Sequence, residues 1–279
     1  MPAEIISGAA LADDILKEAR QKISSLGEKP SLAILMVGDD NASKMYAQMK
    51  QRVCAMAGIN PQWWQFRENA REQEVIDKIQ LLNADKGTNG ILVQLPLPQS
   101  MDRNNILRSI SPAKDVDGLT PLNLGLLALG VEELVSCTPL GIIKLIESTG
   151  AKIEGKNCCI VNHSVLIGRP LSQLLLNRNA TVAVCHKFTK NLSEFTQKAD
   201  ILITAAGVPG LITREMVKGG AIVIDAGIAR KDGRVSGDVD FDGVKEVAGF
   251  ITPVPGGVGP MTIACLILNT VKAAEIQRK

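Results

Sequence analysis

Apolar positions along the chain follow two periods in alternation. Residues 9–26 repeat on a helical spacing, with Leu11, Ile15 and Ile23 on one face, and read as an amphipathic helix. Residues 31–38 (SLAILMVG) form an unbroken apolar run between Pro30 and Gly38, the pattern of a strand buried on both faces. The alternation continues through a helix over 42–58, a strand over 62–67 and a helix over 71–84. A strand over 90–98 (GILVQLPLP) is stopped by Pro96 and Pro98. A short helix near 103–109 then leads into a loop over 111–121 (SPAKDVDGLTP).

A helix over 138–150, with Thr138 as N-cap and Pro139 at its first position, opens a second series. Its strands are 157–162, 181–185, 200–204 and 221–225. A helix starts near Gly168, and helical segments near 191–197 and 213–218 fill the gaps that follow. A strand over 249–252 runs into PVPGGVGPMT, and the last helix is 261–276. Strand–helix alternation of this kind builds parallel layers, so the fold class is α/β. The seam near 119–137 predicts two α/β domains.

Composition narrows the function classes. With aromatic residues at 3%, the core has to be aliphatic. A net charge of +2 from scattered basic residues argues against a nucleic-acid partner. No apolar stretch of about 18 residues occurs, so no membrane span is expected. The first residues carry early acids and no basic segment ahead of an apolar block, which does not read as a signal peptide. None of the six cysteines forms CxxC, which predicts buried free thiols and a reducing, cytoplasmic location.

Five groups of residues are candidates for chemistry. Ser43, Tyr46 and Lys50 lie in one helical segment, and Tyr46 and Lys50, four apart, share a face. The plain alternative is a solvated lysine beside a half-buried tyrosine. Gln94 is a polar residue at the end of an apolar strand, where open α/β sheets hold ligands, and it needs a partner or a substrate. Asp115 and Asp117, in DVDG, suit a cationic or amino-pyrimidine group, or else form a turn before Gly118. As metal ligands they lack companions, since His163 and His186 are far along the chain, and no metal is expected.

The fourth group is the turn between strand 157–162 and the helix at Gly168, the setting of a dinucleotide site. GxGxxG is absent: Asn162 stands where its first glycine would be. About 20 residues on, an NAD enzyme carries an acid for the ribose hydroxyls. This chain has His186 and Lys187 instead, which suits a 2′-phosphate and hence NADP. The fifth group is ITPVPGGVGPMT, where Gly256, Gly257 and Gly259 leave backbone amides open to a ligand.

Taken in order over nearly the whole chain, these segments resemble the methylenetetrahydrofolate dehydrogenase/cyclohydrolase family. The matching segments are Ser43–Tyr46–Lys50, GILVQLPLP, KDVDGLTP, CTPLGI, HKFTKNL, GAIVIDAGI and ITPVPGGVGPMT. The resemblance implies two α/β domains around a cleft. Residues 1–136, completed by 258–279, would bind folate, and a Rossmann-like domain over 137–257 would bind NADP. The implied activity is NADP-dependent oxidation of 5,10-methylene-tetrahydrofolate, then hydrolysis of the methenyl product to 10-formyl-tetrahydrofolate. The alternatives are a cyclohydrolase with weak or lost dehydrogenase activity and a non-catalytic folate-binding protein.

By the same resemblance, Lys50 is the cyclohydrolase acid/base, helped by Gln94 and placed by Ser43. Tyr46 stacks on the folate, and Asp117 bonds its amino-pyrimidine edge. Pro96, Pro255, Gly256, Gly257 and Val258 line the folate site. Cofactor binding falls to Asn162, His163, Ser164, Gly168, Pro170, His186, Lys187, Thr138 and Ile228. At the dinucleotide turn the family carries Gly and commonly Arg where this chain has Asn162 and His163. That departure predicts looser NADP binding, through an asparagine side chain that crowds the turn and a histidine where an arginine would always be charged. The family also implies a homodimer through the cofactor domain.

Overall fold

The computed structural model describes residues 1–231 and 234–278; for 41–43, 230, 231 and 234 it describes the backbone alone. The first half of the chain runs β1 (Glu4–Ile5), α1 (Gly8–Ser25), β2 (Ser31–Val37), α2 (Asn41–Ala57), β3 (Asn60–Phe66), α3 (Glu72–Ala84), β4 (Gly90–Val93), α4 (Arg103–Arg108) and α5 (Pro121–Ala128). The second half runs α6 (Cys137–Ser148), β5 (Asn157–Val161), α7 (Gly168–Leu176), β6 (Thr181–Cys185), α8 (Leu192–Thr196), β7 (Ile201–Thr204), β8 (Ile222–Asp225), β9 (Ala229–Lys231), β10 (Arg234–Ser236), α9 (Phe241–Lys245), β11 (Phe250–Ile251) and α10 (Val258–Ile276).

The chain forms two compact units. One, built from residues 14–126, 131–137 and 263–279, holds a three-stranded parallel sheet in the order β3-β2-β4. β2 is the middle strand and every residue in it is buried, which is why its sequence is apolar without a break. α2 turns Ala47, Lys50, Cys54 and Ala57 to the inside. Their spacing is that of one helical stripe.

The other unit, residues 1–13, 127–130 and 138–262, holds a six-stranded parallel sheet in the order β1-β11-β8-β7-β5-β6. Its core packs Cys159, Val161, Leu202, Val223 and Ile251 with Ala3. The order steps from β5 outward to β6 on one side and to β7 and β8 on the other. The strand order therefore reverses at β5, where open sheets of this kind leave a crevice beyond the strand ends.

The alternation read from the sequence is present, and the differences are local. β1 was not expected, being two residues long; it pairs with β11, and residues 1–13 group with the larger sheet. The expected strand 90–98 ends at Val93, before the cis Leu95–Pro96 bond. α6 begins at Cys137, so Thr138 lies inside its first turn and is not the cap. α10 begins at Val258, three residues early, because Pro260 fits a first helical turn. α5 was hidden by Gly125, and the β9–β10 hairpin and α9 by their shortness. All six cysteines are buried and free. Among the described residues no helix is long and apolar enough to cross a membrane.

Candidate functional site

The inner stripe of α2 is apolar except for Lys50, which is 8% exposed. Its ammonium donates to Gln94 Oε1 at 3.0 Å. Gln94 is fixed for that task on both sides. Its backbone N–H donates to Leu35 O at 2.8 Å, extending the β2–β4 pairing by one residue. Its side-chain amide donates to Leu95 O at 2.8 Å, which leaves Oε1 to face the lysine. The Tyr46 ring lies with its centroid 4.7 Å from Lys50 Nζ, a cation–π distance. Pro96, just beyond, is exposed. The Ser43 side chain lies outside the described residues.

The two aspartates of DVDG divide the work. Asp115 is structural: its Oδ2 accepts from Thr120 N at 2.7 Å and from Asn123 Nδ2 at 2.9 Å. Gly118 takes φ +64°, which closes the turn that the sequence suggested. Asp117 is the one whose charge acts on Lys50. Burial pushes its carboxyl up to about 6, against the pull of the Lys50 charge. Burial likewise draws Lys50 downward from the usual ammonium range, while Asp117, Cys137 and Cys54 oppose the fall.

Three neighbours escaped the sequence reading. Cys54, one turn beyond Lys50 on the same stripe, has its thiol pushed up to about 12 by burial. The Cys137 thiol is raised by burial and then by Asp117, with which it shares a hydrogen bond. Asn269, in α10, donates from Nδ2 to Val116 O at 2.8 Å and to Val135 O at 2.7 Å. It thereby ties the Asp117 loop to the segment that carries Cys137. The available signals were the four-residue step from Lys50 to Cys54 and a lone amide in the apolar run CLILNTV.

The second cluster of candidates sits in the unit with the six-stranded sheet, at the carboxyl ends of β5 and β6. Gly168 opens α7 hard against the end of β5: a Cβ there would overlap the carbonyl of Asn162. Pro170, in the first turn of α7, is buried. Ser164 Oγ accepts from Ile167 N at 3.1 Å, and Arg169 Nε reaches His163 O at 3.2 Å. The His163 and His186 rings lie 4.9 Å apart, both exposed, with Lys187 exposed beside them. The Asn162 side chain is hydrogen-bonded within the turn. Its Oδ1 accepts from Ser164 N at 2.8 Å and Gly168 N at 3.0 Å, so the side chain replaces bonds a glycine would leave to solvent.

In the same unit, Thr138 Oγ1 lies 3.0 Å from Thr262 Oγ1. Ile228, just past β8, is 73% exposed. Pro255 is exposed and joined to Val254 by a cis bond. Gly256 has φ +105°, Gly257 is too close to Pro253 and Thr252 for a side chain, and Val258 is buried as α10 begins.

Residues 6–117 match the model of the tetrahydrofolate dehydrogenase/cyclohydrolase catalytic domain, and residues 136–278 that of the same family's NAD(P)-binding domain. The chain belongs to the tetrahydrofolate dehydrogenase/cyclohydrolase family. It is 49% identical to the bifunctional protein FolD of Nitrosospira multiformis over 99% of this chain and 97% of that one. The structure of the bifunctional FolD dehydrogenase/cyclohydrolase from Campylobacter jejuni superposes with a TM-score of 0.97 at 45% identity, covering 98% of this chain and 99% of that one. The Trypanosoma brucei FolD dehydrogenase-cyclohydrolase, solved with NADP and an inhibitor, gives a TM-score of 0.96 at 33% identity over 100% of this chain and 99% of that one. Family membership thus covers both units, the one with the buried lysine and the one with the Asn162 turn.

Proposed function

We propose that Lys50, Gln94, Tyr46 and Asp117 form the folate site and carry out the hydrolytic half of the family's chemistry. The chain is an NADP-dependent methylenetetrahydrofolate dehydrogenase and methenyltetrahydrofolate cyclohydrolase. The observation that carries the site assignment is the Lys50–Gln94 contact of 3.0 Å in a buried setting beside Asp117.

In the first reaction the methylene carbon of the substrate gives up a hydride, and NADP, when bound, supplies the acceptor. The two folate nitrogens flanking that carbon stabilise the resulting cation, so the protein has no strong base to provide. Its contribution is to hold the reacting carbons in line, an effect worth up to roughly 7–11 kcal/mol in favourable cases. In the second reaction water adds to the cationic methenyl carbon. Neutral Lys50 takes one proton from the water and passes it to the ring nitrogen that leaves. The second proton departs to solvent as the hydroxyl becomes the formyl carbonyl, so the cation is converted to the neutral formyl compound with no net change in the lysine. The downward draw on Lys50 favours the neutral amine that this role requires. Gln94 aims the amine. The Asp117 carboxylate accepts from the amino-pyrimidine edge of the pterin, and Tyr46 stacks against the folate ring.

The turn of the larger sheet fits the cofactor. A tight β5–α7 junction brings backbone close to a pyrophosphate, and Lys187, in the exposed segment with His186 and near His163, offers a cation for the 2′-phosphate. Ser164, Gly168, Pro170, Thr138 and Ile228 complete the proposed cofactor contacts, and Pro96 the folate ones. We assign the protein to the cytoplasm, on six buried free thiols. We also assign it a homodimeric state. Support comes from the edge strand β6 with Val184 exposed and from the exposed Leu176 and Phe195. Light scattering in solution tests that state. For the activity, absorbance during turnover of methylene-tetrahydrofolate with NADP, NADP replaced by NAD, and methenyl-tetrahydrofolate alone separates the two steps. Absence of methenyl hydrolysis would remove the assignment of Lys50.

A further inference from the structure

The loop after β7 is held from both sides by side chains that belong to neither its own strand nor its own turn. From one side, Asn162 Nδ2 donates to Ala205 O at 2.6 Å, while its Oδ1 accepts from Ser164 N and Gly168 N. One amide group thus joins the β5–α7 turn to the β7 loop. From the other side, the fully buried Asp238 carboxylate accepts from Thr204 Oγ1 at 2.7 Å, Ala206 N at 2.5 Å and Val208 N at 2.8 Å. Asp238 is anchored in turn. Its backbone N–H donates to Asp225 Oδ1 at 3.1 Å, and the Asp225 carboxylate also accepts from Gly227 N and Val239 N. The Asp238 carboxylate occupies the space a side chain at Gly227 would fill. A continuous line of hydrogen bonds therefore crosses the carboxyl ends of β5, β7 and β8, the edge at which a parallel sheet holds its ligand.

We propose that Asn162 and Asp238 are positioning residues that clamp the 205–208 loop in its cofactor-binding form. This rests on the reading of that edge as the NADP site. Neither residue has to touch the cofactor. Their effect is to fix backbone before binding, so that less ordering is left to the binding step. The inference reverses the expectation drawn from the sequence: asparagine at 162 tightens the site, and glycine there loosens it.

The test uses the full-length chain with Asn162→Gly and Asn162→Asp, the latter keeping the acceptor oxygen but losing the donor to Ala205 O. Without cofactor, amide hydrogen exchange in residues 205–208 accelerates about tenfold or more in both variants, the scale expected when one or two hydrogen bonds are lost. With cofactor, KM for NADP rises about tenfold in Asn162→Gly while kcat at saturating NADP changes far less. Unchanged exchange in 205–208, or an Asn162→Gly variant that binds NADP as tightly as the parent, overturns the clamp. If the parent itself shows no NADP binding by calorimetry, the cofactor reading fails instead, and the exchange experiment still decides whether the clamp exists. Should Asn162→Gly fail to fold, Asn162→Asp carries the same comparison.

Discussion

At the scale of single residues, the decisive feature is an ammonium on the apolar stripe of a helix. Burying a charge is costly unless it is paired, and the alternative open to a lysine is to give up its proton. Lys50 is held between these outcomes by burial on one side and the charge of Asp117 on the other. Replacing it with methionine, similar in length and apolar, suits the stripe. We expect Lys50→Met to slow methenyl-tetrahydrofolate hydrolysis by about a hundred- to ten-thousand-fold, the usual worth of a positioned acid/base. Hydride transfer, which needs no base, survives in part. Loss of both activities with intact folding would sink the division of labour.

Asp117 gives a prediction of sign. Its negative charge favours the ammonium form of Lys50, so removing it lets Lys50 lose its proton at lower pH. If neutral Lys50 is the active form, hydrolysis rises with pH. In Asp117→Asn that rising limb moves to lower pH, while the maximal rate at subsaturating substrate falls. Folate affinity weakens by roughly ten- to a hundred-fold, because an amide presents one donor where the carboxylate offered two acceptors. In the parent, folate affinity falls as pH drops through about 6, where Asp117 takes up its proton. An Asp117→Asn profile with the parent's limb and the parent's affinity would remove Asp117 from the site.

At the scale of elements, the β5–α7 junction depends on one glycine. A methyl group at Gly168 meets the backbone of Asn162 and His163, not a side chain that can swing away. Gly168→Ala therefore pushes α7 off the end of β5 at a cost of about 1–3 kcal/mol, the range for overpacking. The expected result is a lower melting temperature together with weaker NADP binding, read by calorimetry and by cofactor titration. A stable variant with full NADP affinity would show that the close approach does not matter.

This junction also shows what a sequence can and cannot convey. The apolar runs of β2, β5, β7 and β8 are legible because a strand buried on both faces tolerates nothing else. The stripe of α2 is legible too, and with it the oddness of Lys50. β1 is not legible: two residues carry no period, and only pairing with β11 makes them a strand. The same limit hid Asn269, Asp225 and Asp238. Each works through backbone atoms more than ten residues away in the chain, and such a bond leaves no local pattern. Asn162 was legible as a departure from glycine, but the tightening proposed for it was not, because its three partners become visible only once the turn is folded.

At the scale of the whole molecule, the chain matches the family's catalytic domain over residues 6–117 and its NAD(P)-binding domain over 136–278, so the proposed determinants of hydrolysis and of cofactor preference can be altered apart. The cofactor preference belongs to the unit with the larger sheet. Beyond β6, where a free ribose 2′-hydroxyl would be met by an acid, the chain exposes His186 and Lys187, with the Lys187 ammonium 4.9 Å from the Phe188 ring centroid. A 2′-phosphate carries close to two negative charges and gains charge-assisted bonds from such a group. One contact of that kind is worth about 1.5–3 kcal/mol, or roughly ten- to a hundred-fold in affinity. NAD has no phosphate at that position and nothing to lose there. Lys187→Ala should therefore weaken NADP binding by about that factor while NAD affinity falls far less, so the NADP/NAD ratio drops. Because the contact is electrostatic and exposed, the parent's preference should also shrink as salt is raised, and the variant's should change little. Titrating both cofactors into both proteins at low and high salt gives the four ratios needed. A ratio that Lys187→Ala leaves unchanged would take the 2′-phosphate away from this edge of the sheet, and with it the account of why this chain uses NADP.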